Sequence, residues 1–421
     1  MSAPAAGAAR LDPGARPEVS RGWITRYGLL YLGQNLAWAA PAQLLLARQI
    51  LVWHPGDKEA RLALLMAIGG VASLVGHPLA GWLSDATGGR RGRRAPWILV
   101  GAAVSAGCLA AMAAAPGFWA LTAAWTVFQL FIAAAINSAQ AVAPDGVPRH
   151  QYGTVSGVLG LTYTLGLVAG TAVAALLGTG PAYLVAATLL LAATAQFLLG
   201  FRDPTAGVAP AAAPREAPDP DPDPAPGRAD RPAAGYRDFG WVFVARFLVT
   251  TGNYVALFYL FYFLRDRIGL ADPDGGVLVL TGIYAACVVA TAVAAGVVSD
   301  RSGRRRGYVA ASSAGVAVAC AVMAAAGDFP VVLAAAVLLG LSWGVFMAVD
   351  QALINEVLPS AARRGRDVGV MNLAVAGPNT LAPLLAAAAL GAFGGYPGLY
   401  LFAGAVTALG AAAVTRVRGV P

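Results

Sequence analysis

The chain has 421 residues, 58% hydrophobic and only 12% charged, with a formal net charge of +8 and a mean hydropathy of +0.65. A soluble domain carries about a quarter of its residues as Asp, Glu, Lys and Arg, so a soluble fold is excluded. The positive charge sits mostly as arginine in short loops between apolar runs, which reads as membrane topology and not as nucleic-acid binding.

Apolar runs of roughly 20 residues recur from end to end, the length a helix needs to cross a bilayer. Strand-like alternation is missing, so a β-barrel is set aside and the fold class is all-α. Twelve spans are expected, at about 26–47, 60–84, 96–115, 118–143, 153–177, 181–201, 240–264, 276–299, 307–326, 330–352, 367–391 and 397–415. Residues 1–25 form a polar N-terminal tail, with no cleaved signal peptide expected, and 416–421 a C-terminal tail. Arginine is concentrated in the tails and in the loops after spans 2, 4, 6, 8 and 10, whereas the opposite loops hold only Arg48, Lys58, Arg61, Arg265 and Arg267. That bias puts both termini in the cytoplasm and the chain in the plasma (inner) membrane as a multi-pass protein.

Span 1 carries Gln34, Asn35, Trp38 and Gln43. Span 2 carries His77 beside Pro78 and ends at Asp85, in the stretch GWLSDATGGRRGRRAPWI over 81–98. Span 4 contributes Gln129, Asn137 and Gln140, and span 5 Thr162, Tyr163 and Thr164. Residues 203–238, with APREAPDPDPDPAPGRADRP at their centre, cannot form a helix or a packed core and read as an extended, solvated linker. The linker separates a six-span bundle over 26–202 from another over 239–415.

The second half echoes the first. Gly296-Val-Val-Ser-Asp300-Arg301-Ser-Gly303-Arg304-Arg305 repeats the pattern of Gly81, Asp85, Gly92, Arg93 and Arg94. PDGVPRHQYG at 144–153 is answered by NEVLPSAARRG at 355–365. Two six-span halves around a midplane site suit a solute transporter that rocks between two openings. Span 7 brings Arg246, Asn253, Tyr254, Tyr259 and Tyr262, span 8 Tyr284, span 10 Trp343 and Asp350, and span 11 Asn372 and Asn379.

Gly81, Asp85, Gly92, Arg93 and Arg94, with their repeat at 296–305, resemble the loop motif of the major facilitator superfamily. The six-residue gap between Asp85 and GRR, followed by Ala-Pro-Trp-Ile, resembles more narrowly the glycoside–pentoside–hexuronide symporters, which include the sucrose–proton symporters. Span 11, DVGVMNLAVAGPNTLAP over 367–383, is similar to the corresponding segment of that family. The resemblance implies cation-coupled uptake of a sugar or glycoside by alternating access. Asp85, Gly81, Gly92, Arg93, Arg94, Asp300, Arg301, Gly303, Arg304 and Arg305 would then be gate elements, alongside their topological and lipid-gripping role.

Polar groups inside spans are costly and mark functional sites. Gln34, Asn35, Trp38, Gln129, Asn137, Asn253, Tyr254, Trp343, Asn372 and Asn379 are the candidate solute contacts, since amides, hydroxyls and ring faces suit a sugar. Trp38 and Trp343 fit core packing equally well, and Asn372 and Asn379 fit interhelical bonding. Tyr259 and Tyr262 read as an interfacial aromatic belt. Asp350 and Arg246 are the candidate coupling pair, with a static structural pair as the alternative. In the resembled family the proton-carrying carboxylate lies in span 4, where this chain has Gln129, and the family's arginine lower in that span is Gln140 here. Either Asp350 has taken over coupling, another ion such as sodium is used, or the chain is a uniporter. A proton-driven exporter of drugs or metabolites is the alternative function, and a non-transporting sensor the less favoured one. Cys108, Cys287 and Cys320 lie in apolar runs as packing residues. HExxH, Walker and Ser/His/Asp groupings are missing, so neither an enzyme, a cofactor nor a metal site is expected. A monomer is expected.

Overall fold

The structure is a computed structural model that describes residues 17–87, 92–204, 206, 236–302, 305–357 and 364–417. The side chains of Asp85, Asp300 and Glu356 lie outside that range of description, as do Gly303, Arg304 and most of the predicted linker. Among the described residues, twelve helices are long and apolar enough to cross a membrane. In chain order they are α1 (Arg21–Trp53), α2 (Lys58–Ala86), α3 (Ala95–Ala113), α4 (Phe118–Gly146), α5 (Tyr152–Leu176) and α6 (Thr179–Leu198). The second six are α7 (Tyr236–Phe258), α8 (Pro273–Ser302), α9 (Arg305–Ala325), α10 (Phe329–Val357), α11 (Arg364–Ala392) and α12 (Tyr396–Val414). All match the expected spans apart from their ends. An apolar bilayer core offers backbone groups no water, and a helix satisfies them internally.

The first helix of each half is interrupted near the end remote from the termini. α1 contains a π-helical stretch, Pro41–Leu45, and α7 is continued by a short turn, Leu260–Tyr262, and a π-helical stretch, Phe263–Arg267. Pro41 has no N–H to give to the preceding turn, which accounts for the break in α1.

The halves pack alike. In the first, α1 packs on α5 and α6, α4 on α2 and α3, and α3 on α6. In the second, α7 packs on α11 and α12, α10 on α8 and α9, and α9 on α12. Each pair recurs six helices later, the structural counterpart of the sequence echo. Within lipid such contacts are held by close packing more than by water exclusion, which favours small residues at crossings. Gly166 and Gly170 lay α5 on α1, where a Cβ at Gly170 would come within 2.6 Å of the Leu36 carbonyl oxygen. Gly340 and Gly344 do the same for α10 on α8.

Between the halves α2 packs on α11 and α5 on α8. The largest apolar cluster runs through both halves, joining Leu44, Trp125 and Tyr183 to Tyr262, Phe263 and Tyr400. Toward the termini the core splits. Tyr27, Ile98, Val142 and Phe197 form a cluster within the first half, and Phe239, Val242, Phe346 and Val414 one within the second. The halves are therefore fused at the distal end and separate at the end that bears the termini.

Candidate functional site

Two charges that lie within spans of the second half face each other. Arg246 on α7 and Asp350 on α10 form an ion pair at 3.3 Å, Nη1 to Oδ2, with side chains only 11% and 6% exposed. Arg246 Nε is buried without a hydrogen-bond partner among the described residues. A guanidinium has five N–H donors, so the single carboxylate contact leaves it with capacity to bind something else.

Near this pair three phenols approach one another across the division between the halves. Tyr254 lies within electrostatic reach of Arg246 and of Tyr163, and Tyr284 within reach of Tyr163 and Tyr254. Asn253, itself buried, lies alongside the Tyr284 hydroxyl. Tyr163 belongs to α5 of the first half, yet it is 54% exposed where it approaches the second half. It stands about three turns into α5, so the cleft between the halves reaches this depth.

The remaining predicted residues are distributed unevenly. Asn35 donates from Nδ2 to the Tyr31 carbonyl at 2.8 Å, and its Cβ rests against Gly166. Trp38 packs half-buried on the main core. Gln34 is fully buried, and neither amide atom has a partner among the described residues. Gln129 is buried in α4. Asn137 spends its amide on α2: its Nδ2 donates to the His77 carbonyl at 2.6 Å, and its Oδ1 accepts from His77 Nδ1 at 2.8 Å. That exchange sets the Nδ1–H tautomer of His77. Trp343 is stacked on Phe346, centroids 5.2 Å apart, inside the second-half core. Asn372 and Asn379 are exposed on α11, away from the buried stripe of Met371, Ala374 and Ala382. The structure thus gathers Arg246, Asp350, Asn253 and Tyr254 with Tyr163 and Tyr284, and uses Asn137 as a helix clamp.

The distal end is bolted by polar contacts that sequence reasoning does not find. Arg48 Nη2 meets Asp274 Oδ1 at 2.7 Å, while the same guanidinium donates to the Ala174 and Leu177 carbonyls at the end of α5. Lys58 Nζ lies 3.1 Å from Glu59 and 3.0 Å from Asp266. The Tyr396 hydroxyl lies 3.0 Å from the Glu59 carboxylate and 3.1 Å from that of Asp266. Tyr259 and Tyr262 correct the belt expectation: they are 1% and 0% exposed and donate to the backbone carbonyls of Glu59 and Ala47 in the other half. Their hydroxyls add a second bond to backbone carbonyls of the other half, a use that hydropathy alone does not reveal. The available signal is the charge remaining on a side otherwise poor in it: Arg48, Lys58 and Asp266 all sit there.

At the other end the arginine loop is tied into its own half. Arg94 Nε pairs with Asp145 at 2.8 Å, and its Nη1 donates to Ser84 Oγ at 2.9 Å. The backbone N–H groups of Arg94 and Ala95 donate to Asp203 Oδ2 at 2.8 and 3.1 Å, capping α3. Gly92 turns there with φ +77, and a Cβ in its place would collide with the Asp203 carboxylate. Asp203 corrects the expected linker boundary: it is 8% exposed and belongs to the first bundle, and α7 likewise begins within the predicted linker, at Tyr236. Gly81 is half-buried, Arg93 is half-buried with its carbonyl accepting from Ser84 Oγ at 3.3 Å, Arg301 is exposed and Arg305 half-buried.

Two matched six-helix halves, joined at one end and parted at the other around a buried charge pair, have the architecture of a secondary transporter. The family's sequence pattern, Major Facilitator Superfamily, matches residues 27–279 and 242–421, and the chain belongs to that superfamily. Its members are transporters and not enzymes. Among solved structures the chain is similar to the nucleoside transporter NupG, with a TM-score of 0.73 at 13% identity over 94% of this chain and 99% of that one. It is similar to a POT family transporter in complex with 5-aminolevulinic acid, with a TM-score of 0.74 at 10% identity over 94% and 95%. A bacterial homolog to the human lysosomal transporter Spinster, in an inward-facing and occupied conformation, matches with a TM-score of 0.68 at 14% identity over 95% of each chain. At these identities the likeness is one of fold. No curated protein matches the sequence.

Proposed function

We propose that this transporter couples uptake of a sugar or glycoside to proton influx, with Asp350 as the proton-carrying group and Arg246 as its partner. The observation that carries the reading is the ion pair itself. Among the described residues it is a single 3.3 Å contact, nearly sealed from solvent, whose guanidinium retains an unpartnered Nε. An ionised pair is expensive inside a membrane and needs a purpose or a compensating network. Protonation of Asp350 would release Arg246 to bind a solute oxygen, and loss of that proton would draw the guanidinium back. Solute and proton then bind in mutual dependence. The hydroxyl-rich surface of Tyr163, Tyr254, Tyr284 and Asn253 suits a neutral polyol with an apolar ring face. We further propose a monomer in the plasma membrane with both termini cytoplasmic. The parted end would then be the cytoplasmic one and the bolted end the external one.

The test is uptake into proteoliposomes of labelled mono- and disaccharides and nucleosides, with and without an inward proton gradient, for wild type and Asp350→Asn. Gradient-accelerated uptake of a sugar, lost with its pH dependence in Asp350→Asn while downhill exchange persists, is the expected result. Uptake indifferent to gradient and to Asp350 would refute coupling, and no uptake of any glycoside would refute the solute class.

A further inference from the structure

An apolar cavity of about 60 Å³ lies beyond the phenols, in the distal part of the second half. Most of its lining is aliphatic, including Met323, Val332, Ala336 and Leu339 of the second half and Leu167 of the first, while Gln43 and Thr281 add polar groups. Tyr284 lines this cavity as well as standing beside Asn253 and within reach of Tyr163 and Tyr254. The polar cleft and the apolar cavity are therefore neighbours that share one side chain. A bare monosaccharide, with hydroxyls around its ring, has nothing to place against four aliphatic walls. Away from Gln43, Thr281 and Tyr284 the lining is aliphatic, and a hydroxyl placed against it would lose its water without gaining a partner.

We infer that the cavity is a subsite for the apolar substituent of an amphiphilic solute, a glycoside carrying a short alkyl or comparable aglycone, whose hydroxylated part sits at the phenols and Asn253. This rests on the glycoside reading above and adds the aglycone to it. A space this size takes about four water-sized groups, so a chain of three to four carbons fills it. Because Gln43 and Leu167 come from the other half, the substituent touches both halves at once and is gripped only while the distal end is closed.

The experiment is calorimetric titration of the full chain in nanodiscs with methyl, propyl, butyl and hexyl β-D-glucopyranoside, and separately with 1-hexanol, for wild type, Ala336→Leu and Leu339→Ala. The first variant fills the cavity and the second enlarges it, so the pair remains informative if one fails to fold. Wild type is expected to bind about fourfold more tightly for each added methylene as far as butyl, then to level off. Ala336→Leu should flatten the butyl-to-methyl ratio towards one, and Leu339→Ala should carry the rise on to hexyl. Equal affinity for all chain lengths, or a rise untouched by both variants, overturns the subsite and leaves the glycoside reading intact. If no glucoside binds but 1-hexanol binds wild type and not Ala336→Leu, the glycoside reading fails and the apolar subsite stands. If neither binds, both fail.

Discussion

Arg48→Ala tests how firmly the distal end is held. Arg48 makes several contacts, but only the one to Asp274 joins the two halves; those to the Ala174 and Leu177 carbonyls lie within the first half and survive its rotation. The crossing contact uses two donors on one oxygen, Nε at 3.2 Å and Nη2 at 2.7 Å, with side chains 18% and 26% exposed. Fully exposed pairs contribute about 0.2–1 kcal/mol, and breaking a buried pair costs about 3–5 kcal/mol. Intermediate burial places this one at about 1–2 kcal/mol. At about 1.4 kcal/mol per tenfold, removing it shifts the balance from distal-closed towards distal-open by roughly 5–30-fold. Asp274→Ala should do the same, and the double variant little more than either, since each removes the same contact. The assay is the distance distribution between spin labels at Val52 and Phe393, both exposed at that end, with Cys108, Cys287 and Cys320 replaced by alanine. A closed population unchanged in Arg48→Ala, or single-variant effects that sum in the double, would refute the latch.

Tyr262→Phe removes the 2.9 Å bond to the Ala47 carbonyl and should move the same distances in the same direction, by about 0.5–1.5 kcal/mol. Gly170→Leu drives a side chain into the Leu36 carbonyl and Ala39, and should destabilise the first bundle by about 1–3 kcal/mol in denaturant or thermal unfolding. Gly282→Ala, with open space around it, should leave the same transition unchanged or raise it. Asp203→Ala deprives α3 of its cap and should lower unfolding stability by about 1 kcal/mol without altering the distal-end distances.

The spans are legible in the sequence because each is a run long enough to cross a bilayer with few charges, a signal that needs no tertiary information. Arg246 and Asp350 stand out for the same reason: a charge in an apolar run has to be answered by another, and only the distance between them is hidden. Tyr163 and Tyr284 are visible as polar groups within spans, but their convergence depends on how α5 and α8 face each other. The distal contacts are not legible. Tyr262 at a helix end looks the same whether it meets lipid headgroups or a carbonyl of another helix, and Lys58 in a short loop looks like topology. Asp203 is concealed by its neighbours, since it precedes a run of Pro and Asp whose composition dominates any reading of the segment.

The π-helical stretch in α1 also sets the direction in which the last two turns of that helix point. A π turn accommodates one residue more than an α turn, and one residue corresponds to a rotation of about 100° around the axis. Leu46–Trp53, which includes Arg48, is therefore turned relative to an unbroken continuation of the helix that begins at Arg21. Deleting a single residue from 41–45 would change no charge and remove no partner of Arg48, yet it would swing the guanidinium away from Asp274. Phe263–Arg267, which contains Asp266, occupies the corresponding place in the other half, shortly before Asp274. The meeting of the two halves at this end is thus set by the angular phase of two helix ends, a quantity that substituting Arg48 or Asp274 would leave untouched and a one-residue deletion would reset.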